Sequence, residues 1–399
     1  MLLKSPAYQL DQPVIRWMPE GPYPKDNPYI YAGEAYIDAL IKGSGKKGKF
    51  HQAEIFVGDT LIAWGCFQEL VLYREDLNEL GRLFGSDSKL SLRLESLFKL
   101  LVNIRNGKKG LRILIAGNAQ VSGPFGLFFR NSVDEKTQAL IWTSVLESCE
   151  NQFGPYSIIL AKEFRENQKL TIGELKKLGL RKINSLPVMT MQLNPEWKSF
   201  KDYIAAMSSK YRIRAKAARK KGKAVRREDW QTDQINARLE EINTLYRNVF
   251  NKARFRLFRM EADYFSALKE NLGESLHFNA YLQGDKLIGF STSIFHEHQA
   301  DAHLIGIDYE ANKEFSLYQN MLYDYVEKGI SSGITKIDFG RTAMEIKSTV
   351  GAIPEDMHVM VKIRNTILDG LTCILMENSS PRDWVQRHPF RDESIADIE

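Results

Sequence analysis

Asp338-Phe339-Gly340-Arg341-Thr342 is the stretch that decides the fold, and Glu345-Ile346-Lys347-Ser348-Thr349-Val350-Gly351 follows it after two residues. Residues 334–339 are predicted to form a short strand, and the apolar spacing of residues 315–328 predicts a helix before it. A helix that leads into such a strand is typical of a crossover to a parallel strand. Ligands of open α/β sheets bind beyond the carboxyl ends of parallel strands, so we expect a site at the end of this strand.

The elements around this stretch are mostly antiparallel strands and helices. Alternating apolar residues and the Gln283-Gly284-Asp285 turn predict three strands, at residues 276–282, 287–295 and 302–307. Helices are predicted at residues 200–227, 235–251 and 261–271 before them. A short helix at residues 342–348 and a closing strand at residues 357–365 are predicted after the crossover.

The first half of the chain repeats this order of elements. Strands are predicted at residues 54–57, 61–73, 111–116, 125–129, 156–161 and 186–193, and helices at 86–105, 132–152 and 172–178. In both halves a glycine, Gly154 or Gly333, precedes the short strand after the long helix. The shared order predicts an internal duplication, with an α/β (α+β) fold of two mixed, mostly antiparallel sheets flanked by helices.

The length of the chain also favours two domains, because 399 residues exceed one ordinary hydrophobic core. We place an N-terminal domain at residues 1–193 and a C-terminal domain at residues 194–380. The second domain contains a basic helix at residues 210–227, and residues 381–399 form a polar tail.

Several segments resemble a known group of proteins. Leu186-Pro187-Val188, Phe200-Lys201-Asp202-Tyr203 and Ser208-Ser209-Lys210-Tyr211-Arg212 resemble the junction between the halves of Fem-like proteins, and the stretch around Gly340 resembles their second half. The chain is therefore similar, over most of residues 111–364, to the GNAT acyltransferases grouped with the Fem-type peptidoglycan aminoacyltransferases. The resemblance implies two tandem GNAT-like domains and transfer of an acyl or aminoacyl group to an amine.

The strand end supplies the candidate site. Gly340 permits a sharp turn, and Arg341 would present its planar fork to a phosphate or carboxylate. Glu345 lies four residues further on, so on a helix it would share a face with Arg341 and either deprotonate the amine or hold the arginine. Lys347 would add positive potential. The alternative interpretation is a purely structural Arg–Glu pair.

The activated donor is left open by the sequence. The resemblance implies that acyl-CoA is gripped by backbone amides before the crossover helix, here from Asn312 to Ser316. The glycine-rich loop of acetyl-CoA users is missing, and Glu310 and Glu314 would repel a pyrophosphate. Fem-type enzymes also lack that loop and use aminoacyl-tRNA, so the donor is acyl-CoA or aminoacyl-tRNA, with no tightly bound cofactor. Tyr318 is either a proton donor to the leaving group or a core aromatic.

One segment carries most of the positive charge. Ten of the 18 residues from Lys210 to Arg227 are Lys or Arg, while the rest of the chain holds 45 basic and 50 acidic residues. Such a helix could track the phosphates of tRNA, with Tyr211 as a stacking surface. Alternatively, the cations are a solvated helix face that pairs with acids elsewhere in the chain, or they meet an anionic membrane surface or the acyl donor. The residues assigned to RNA or anion binding are Lys210, Tyr211, Arg212, Arg219, Lys220 and Lys223.

Other site types are disfavoured. Three widely spaced cysteines argue for a reducing compartment, and no apolar run predicts a signal peptide or a membrane span, so we expect a cytoplasmic protein. His296, His298 and His303 match no common zinc spacing, so no metal site is predicted. No nucleophilic triad stands out, and amine attack on an activated acyl group needs none.

A rival from another class is a catalytically inactive GNAT-fold protein that binds or scaffolds. The missing glycine loop favours this rival, and the Gly340-Arg341 strand end favours an enzyme. The acceptor amine, the acyl group and the oligomeric state stay open.

Overall fold

The computed structural model describes residues 12–18, 29–45, 48–72, 110–123, 125–130, 133–252, 259–365 and 384–391. The predicted helix at residues 86–105 and most of the polar tail at residues 381–399 lie outside these ranges. No helix in the described ranges is long and apolar enough to cross a bilayer.

Fifteen strands and eleven α-helices are found in the described residues. The strands are β1 (Val14–Met18), β2 (Gly48–Val57), β3 (Thr60–Leu72), β4 (Leu111–Ala116), β5 (Leu127–Phe129), β6 (Ile158–Phe164), β7 (Arg181–Asn184), β8 (Val188–Gln192), β9 (Arg226–Asp229), β10 (Leu276–Gln283), β11 (Lys286–His296), β12 (Gln299–Ile307), β13 (Lys336–Asp338), β14 (Ile353–Glu355) and β15 (His358–Ile363). The helices are α1 (Glu34–Ser44), α2 (Glu135–Phe153), α3 (Lys169–Lys177), α4 (Phe200–Ala206), α5 (Ser209–Lys221), α6 (Thr232–Asn236), α7 (Leu239–Lys252), α8 (Asp263–Leu272), α9 (Tyr309–Phe315), α10 (Leu317–Ser331) and α11 (Met344–Ser348).

The strands form two sheets with the same order. The first sheet runs β1-β2-β3-β4-β6-β15-β7, with β5 paired to β3, and the second runs β9-β10-β11-β12-β13-β8-β14. In each sheet one neighbouring pair is parallel, β4 with β6 and β12 with β13, and all other pairs are antiparallel. The matching orders confirm the predicted duplication and the predicted class of two mixed sheets flanked by helices.

The two sheets exchange one strand each. β8, from the N-terminal half, pairs with β13 and β14 in the second sheet, while β15 pairs with β6 and β7 in the first. A cut after residue 193 therefore does not separate the sheets. The sequence prediction assumed that each sheet takes its strands from one continuous segment, which strand exchange contradicts.

The basic segment does not form one helix from 200 to 227. It is divided into α4, α5 and the strand β9, so Arg226 and Arg227 lie on a strand. α5 ends at Gly222, and a 3-10 turn over Gly222–Ala224 leads into β9, which pairs with β10. The helix predicted at residues 132–152 begins at Glu135, because Asp134 caps α2 by accepting a hydrogen bond from the Thr137 amide.

The core joins the two halves. Tyr36 and Leu40 on α1 belong to one buried cluster with Tyr264 and Leu268 on α8. A side chain at Gly43 would come within 2.6 Å of the Tyr264 Cβ, so this glycine sets the close approach of the two helices. The halves are thus held together by apolar packing as well as by the exchanged strands.

We expect residues 1–193 expressed alone not to fold cooperatively. Without β15, β6 and β7 lose the strand between them, and β8 loses both of its partners. Buried strand edges without partners leave amides and carbonyls unsatisfied. Circular dichroism during urea unfolding measures this, with the whole chain as control. A sharp cooperative transition in the fragment would contradict the importance of the exchange.

Candidate active site

The loop after β13 has an unusual backbone. Gly340, Thr342 and Ala343 all have positive φ values, of 68°, 64° and 49°. A β-branched residue such as Thr342 rarely adopts this conformation. The Asp338 Oδ1 atom accepts a hydrogen bond of 2.6 Å from the Gly340 amide, which fixes the first turn of the loop. Clustered strain of this kind is common at functional sites.

Lys347 closes the loop from α11. Its Nζ atom donates hydrogen bonds to the Gly340 carbonyl at 3.2 Å and to the Arg341 carbonyl at 2.6 Å. The side chain is buried, and burial lowers the pKa of Lys347 to about 7, although Asp338 acts in the opposite direction. Lys347 therefore holds the loop and places a group that can gain or lose a proton near neutral pH.

Asp338 has a second carboxylate beside it. Asp301 on β12 is its partner in the parallel pairing of β12 with β13. Burial, and then the nearby charge of Asp301, raise the pKa of Asp338 to about 7. Asp338 therefore titrates close to neutral pH.

The partners of Asp301 come from both halves of the chain. Its Oδ2 atom accepts a hydrogen bond from the Tyr31 hydroxyl and lies 2.8 Å from the His296 Nε2 atom. Its Oδ1 atom accepts a hydrogen bond of 2.6 Å from the side-chain Nε2 atom of Gln299. Tyr31 belongs to the N-terminal half and is buried. These contacts hold the Asp301 carboxylate in place beside Asp338.

Arg341 points to the first half of the chain and not to Glu345. Its Nη2 atom lies 3.0 Å from the Oε1 atom of Glu163, a buried carboxylate at the end of β6. Glu163 has a φ of 69° and also accepts a hydrogen bond from the Gly123 amide. The corresponding parallel strands of the two halves, β6 and β13, thus end at the same place.

The predicted pairing of Arg341 with Glu345 is wrong. α11 begins only at Met344, so Arg341 precedes the helix and the four-residue spacing does not align the two side chains. Glu345 is exposed and its Oε1 atom lies 3.1 Å from the Arg387 Nε atom. The carboxylate near Gly340 is that of Asp338.

Arg341 retains unused hydrogen-bonding capacity. Its Nε and Nη2 atoms are buried, yet neither makes a well-aligned hydrogen bond with any residue that the structure describes. The contact with Glu163 is close enough for an ion pair but not aligned as a hydrogen bond. Such donors usually have a partner, and the two atoms are spaced to hold a carboxylate or phosphate.

The predicted donor-binding position is capped by its own side chains. Asp308 accepts hydrogen bonds from the Glu310 and Ala311 amides at the start of α9, and Asn312 Oδ1 accepts from the Tyr318 amide at 2.8 Å at the start of α10. Ser316 lies between the helices with a φ of 50°. These amides are already satisfied, so an anion here would have to displace Asp308 or Asn312.

Tyr318 lies behind this position. It packs against two apolar clusters, and burial raises its pKa above the ordinary range, so it holds its proton at neutral pH. Both roles considered for it, proton donor and core aromatic, are compatible with this position.

The basic residues divide into two groups. Arg219 pairs with Asp324 and Glu327 and lies over the Phe200 ring, and Arg227 pairs with Asp324 at 3.0 Å. Tyr211 is buried and offers no open ring for stacking. Lys210, Lys220 and Lys223 are exposed, and Arg212 is half-buried. The predicted set therefore contains one structural arginine, one buried tyrosine and four accessible cations.

The histidines do not share one site. His296 contacts Asp301, whereas His303 is bonded to the Tyr264 hydroxyl at 2.6 Å, and burial lowers the pKa of His303 to about 4. Within the described residues no group of three or more His, Cys, Asp or Glu side chains is arranged to hold a metal ion.

Several residues of the cluster were missed from the sequence. Tyr31, Glu163 and Asp301 lie far apart along the chain and carry no local motif. Asp338 was predicted only as a strand residue, although its position two residues before Gly340 indicates a place at the site. Only the strand exchange and the meeting of the two halves bring these side chains together.

Comparison with known proteins agrees with this architecture. Residues 209–348 match the family model described as an acetyltransferase (GNAT) domain. The chain is also similar to the crystal structure of FemX, with a TM-score of 0.51, 11% identity and coverage of 84% of this chain and 92% of that one. The predicted Fem-like arrangement of two tandem GNAT-like domains is confirmed as a fold.

Two further solved structures show weaker similarity. A tandem GNAT protein from the clavulanic acid biosynthesis pathway has a TM-score of 0.45 and 9% identity, with 85% of this chain and 90% of that one covered. The C-terminal domain of a putative lysylphosphatidylglycerol synthetase from Agrobacterium fabrum has a TM-score of 0.42 and 12% identity, with 66% and 80% covered. No curated protein matches the sequence.

Proposed function

We propose that the chain transfers an acyl or aminoacyl group to an amine at the strand ends where β6 and β13 meet. The observation that carries the proposal is Arg341, whose two buried donor atoms lack aligned partners beside the titrating carboxylate Asp338. An amine must lose a proton before or during attack on an acyl carbon, and a base with a pKa near the working pH suits this step.

Each residue has a part in the proposed reaction. Arg341 binds an anionic group of the donor or the acceptor and fixes its position. Asp338 takes the proton of the attacking amine, and Lys347 holds the Gly340 turn so that Asp338 stays in place. The amine nitrogen forms the new bond to the acyl carbon while the bond from that carbon to the sulfur or oxygen of the donor breaks. The leaving sulfur or oxygen receives a proton, for which Tyr318 is a candidate donor.

The donor class is part of the proposal. Amides before α10 that are capped by Asp308 and Asn312 do not favour the pyrophosphate grip of acetyl-CoA users. Aminoacyl-tRNA is therefore the preferred donor, and acyl-CoA is the alternative. The reaction would take place in the cytoplasm, where both donors occur.

A direct assay tests the proposal. The chain is incubated with acetyl-CoA or with charged bulk tRNA and a panel of amines, and mass spectrometry detects acylated products. We expect amine-dependent product formation that is lost in the Asp338→Asn variant. If neither donor is consumed while small molecules remain bound to Arg341, the chain is a binding protein.

The inactive binding protein is the second candidate function. The self-capped amides before α10 favour it, because they remove the usual anion site of the fold without replacing it. In that case the two donor atoms of Arg341 that lack aligned partners would bind a ligand that is not converted to product. Ligand retention that is lost in Arg341→Ala, without chemical change of the ligand, would support this candidate.

A further inference from the structure

A groove on the outer face of α4 and α5 has an apolar floor and a cationic rim. Its volume is about 390 Å³, and its lining residues are Phe200, Ile204, Ala215, Lys216, Arg219, Lys220 and Lys223. We call it the lysine groove. None of its residues belongs to the cluster around Asp338 and Arg341, so it needs a separate explanation.

The charge of the rim is not compensated by neighbouring acids. The nearby acids Asp324 and Glu327 are both taken by Arg219. Within the part of the chain that the structure describes, Lys216, Lys220 and Lys223 have no acidic partner. The rim thus presents three accessible positive charges in a row, which suits a surface of many negative charges.

An apolar residue extends the groove along the same helix. Ile213 is 68% exposed, more than any other large apolar residue in the described ranges. It lies three residues before Lys216 and seven before Lys220, so all three share one face of α5. An exposed apolar side chain flanked by lysines offers a lipid surface both an apolar contact and positive charge.

RNA fits these features less well. Non-specific RNA grooves combine cations with open aromatic rings on which bases stack. Here Tyr211 is buried, and the Phe200 ring is covered by Arg219, whose Cζ atom lies 4.4 Å from the ring centre. An exposed isoleucine and an apolar floor contribute nothing to binding of a phosphate backbone, but they do contribute to contact with acyl chains.

We propose that the lysine groove and Ile213 dock the protein reversibly on a membrane surface rich in anionic phospholipids. Lys216, Lys220 and Lys223 contact the phosphate groups, and Ile213 enters the headgroup boundary. Docking of this kind needs no membrane-spanning helix, and it is independent of whether the Asp338 site is active.

Sedimentation with vesicles tests the docking. We expect the full chain to bind vesicles of phosphatidylcholine with about one third phosphatidylglycerol, and not phosphatidylcholine alone, with binding that weakens as salt rises. Replacement of Lys216, Lys220 and Lys223 by Gln should weaken binding on the order of 100-fold, because each lysine near an anionic surface contributes about a factor of five. Ile213→Ser should weaken it by about 5-fold or more.

Helix α3 offers a matched control. It carries three exposed lysines, Lys169, Lys176 and Lys177, of which Lys177 pairs with Glu174 at 2.7 Å, and they lie next to Leu170, which is 53% exposed. Their replacement by Gln, and Leu170→Ser, should leave vesicle binding unchanged. Equal losses of vesicle binding in the groove variants and the α3 variants would show that net charge alone determines binding, which would overturn the proposal.

A parallel titration with tRNA distinguishes between the two candidate polyanions, an anionic membrane and RNA. Bulk tRNA is titrated against the same variants at the same salt concentrations. If the wild-type chain does not bind the anionic vesicles, and the three lysine substitutions remove its binding to tRNA, the groove is an RNA surface and the docking proposal is wrong. Vesicle binding that the three lysine substitutions remove, in variants with unchanged thermal unfolding, supports it.

Discussion

Asp338→Asn is expected to lower kcat for acyl transfer by about 10²–10⁴-fold, the range that a positioned general base contributes. Asparagine keeps an oxygen that can accept the hydrogen bond from the Gly340 amide, now 2.6 Å long, but it cannot take a proton from the amine. The loop after β13 should therefore keep its conformation. The measurement is the initial rate of product formation, with urea unfolding recorded in parallel.

The ionisation of Asp338 affects two pH profiles, that of stability and that of kcat/KM, in opposite directions. Burial and Asp301 raise the pKa of Asp338 to about 7, above its value of about 4 in an unfolded chain. Its contribution to stability is therefore full below about pH 4 and is lost as the pH rises through about 7. The value of kcat/KM should rise over that upper range as the base becomes ionised. Both dependences should lose this contribution in Asp338→Asn, whereas the titration of Lys347 near pH 7 remains.

Two comparisons make this test specific. Asp134→Asn changes the same chemical group at the start of α2, where asparagine also caps a helix, and should leave the rate unaltered. Glu345→Gln tests the carboxylate that the sequence favoured. A larger loss in Glu345→Gln than in Asp338→Asn would return the role of base to Glu345, and an unchanged pH profile in Asp338→Asn would exclude Asp338.

Much of the fold could be predicted because its signals are local. The strands predicted at residues 54–57 and 61–73 lie within or largely overlap β2 and β3, and the bounds of β4 were predicted without error. The strand exchange could not be predicted, since β8 and β15 are short apolar strands whose composition suits either sheet. Which sheet takes them depends on packing between segments far apart in the chain.

The site was predictable in place but not in its contacts. Its position was predicted from the end of the parallel strand and from Gly340, because ligands of open α/β sheets bind beyond the carboxyl ends of parallel strands. The partner of Arg341 is Glu163, which lies 178 positions earlier and adopts its positive φ only where β6 pairs irregularly with β15. No spacing rule within one segment could have found a contact that depends on the exchanged strand.

Arg341 is where the two halves and the proposed ligand meet. We expect both Arg341→Ala and Arg341→Lys to lower kcat/KM by about 10- to 100-fold, since a hydrogen bond to a charged group contributes about 1.5–3 kcal/mol. Lysine keeps a positive charge opposite Glu163 but cannot offer two parallel N–H groups to an anion. Arg341→Lys should therefore keep the stability of the chain. Arg341→Ala leaves Lys162, at 3.4 Å, as the remaining ionic partner of the buried Glu163 and should lower the free energy of unfolding by about 1.5–3 kcal/mol.

The separation of these two effects decides the role of Arg341. Steady-state kinetics gives kcat/KM for each variant, and urea unfolding gives its stability. Arg165→Lys is the matched control, because Arg165 pairs with Glu355 at 2.6 Å at an exposed position and should change neither quantity appreciably. If Arg341→Lys retains full kcat/KM while Arg341→Ala loses stability alone, Arg341 only joins β13 to the buried carboxylate of β6. If Arg341→Lys loses kcat/KM at full stability, its unused donors bind the ligand, because charge opposite Glu163 is the same in both proteins and only the planar fork has been removed.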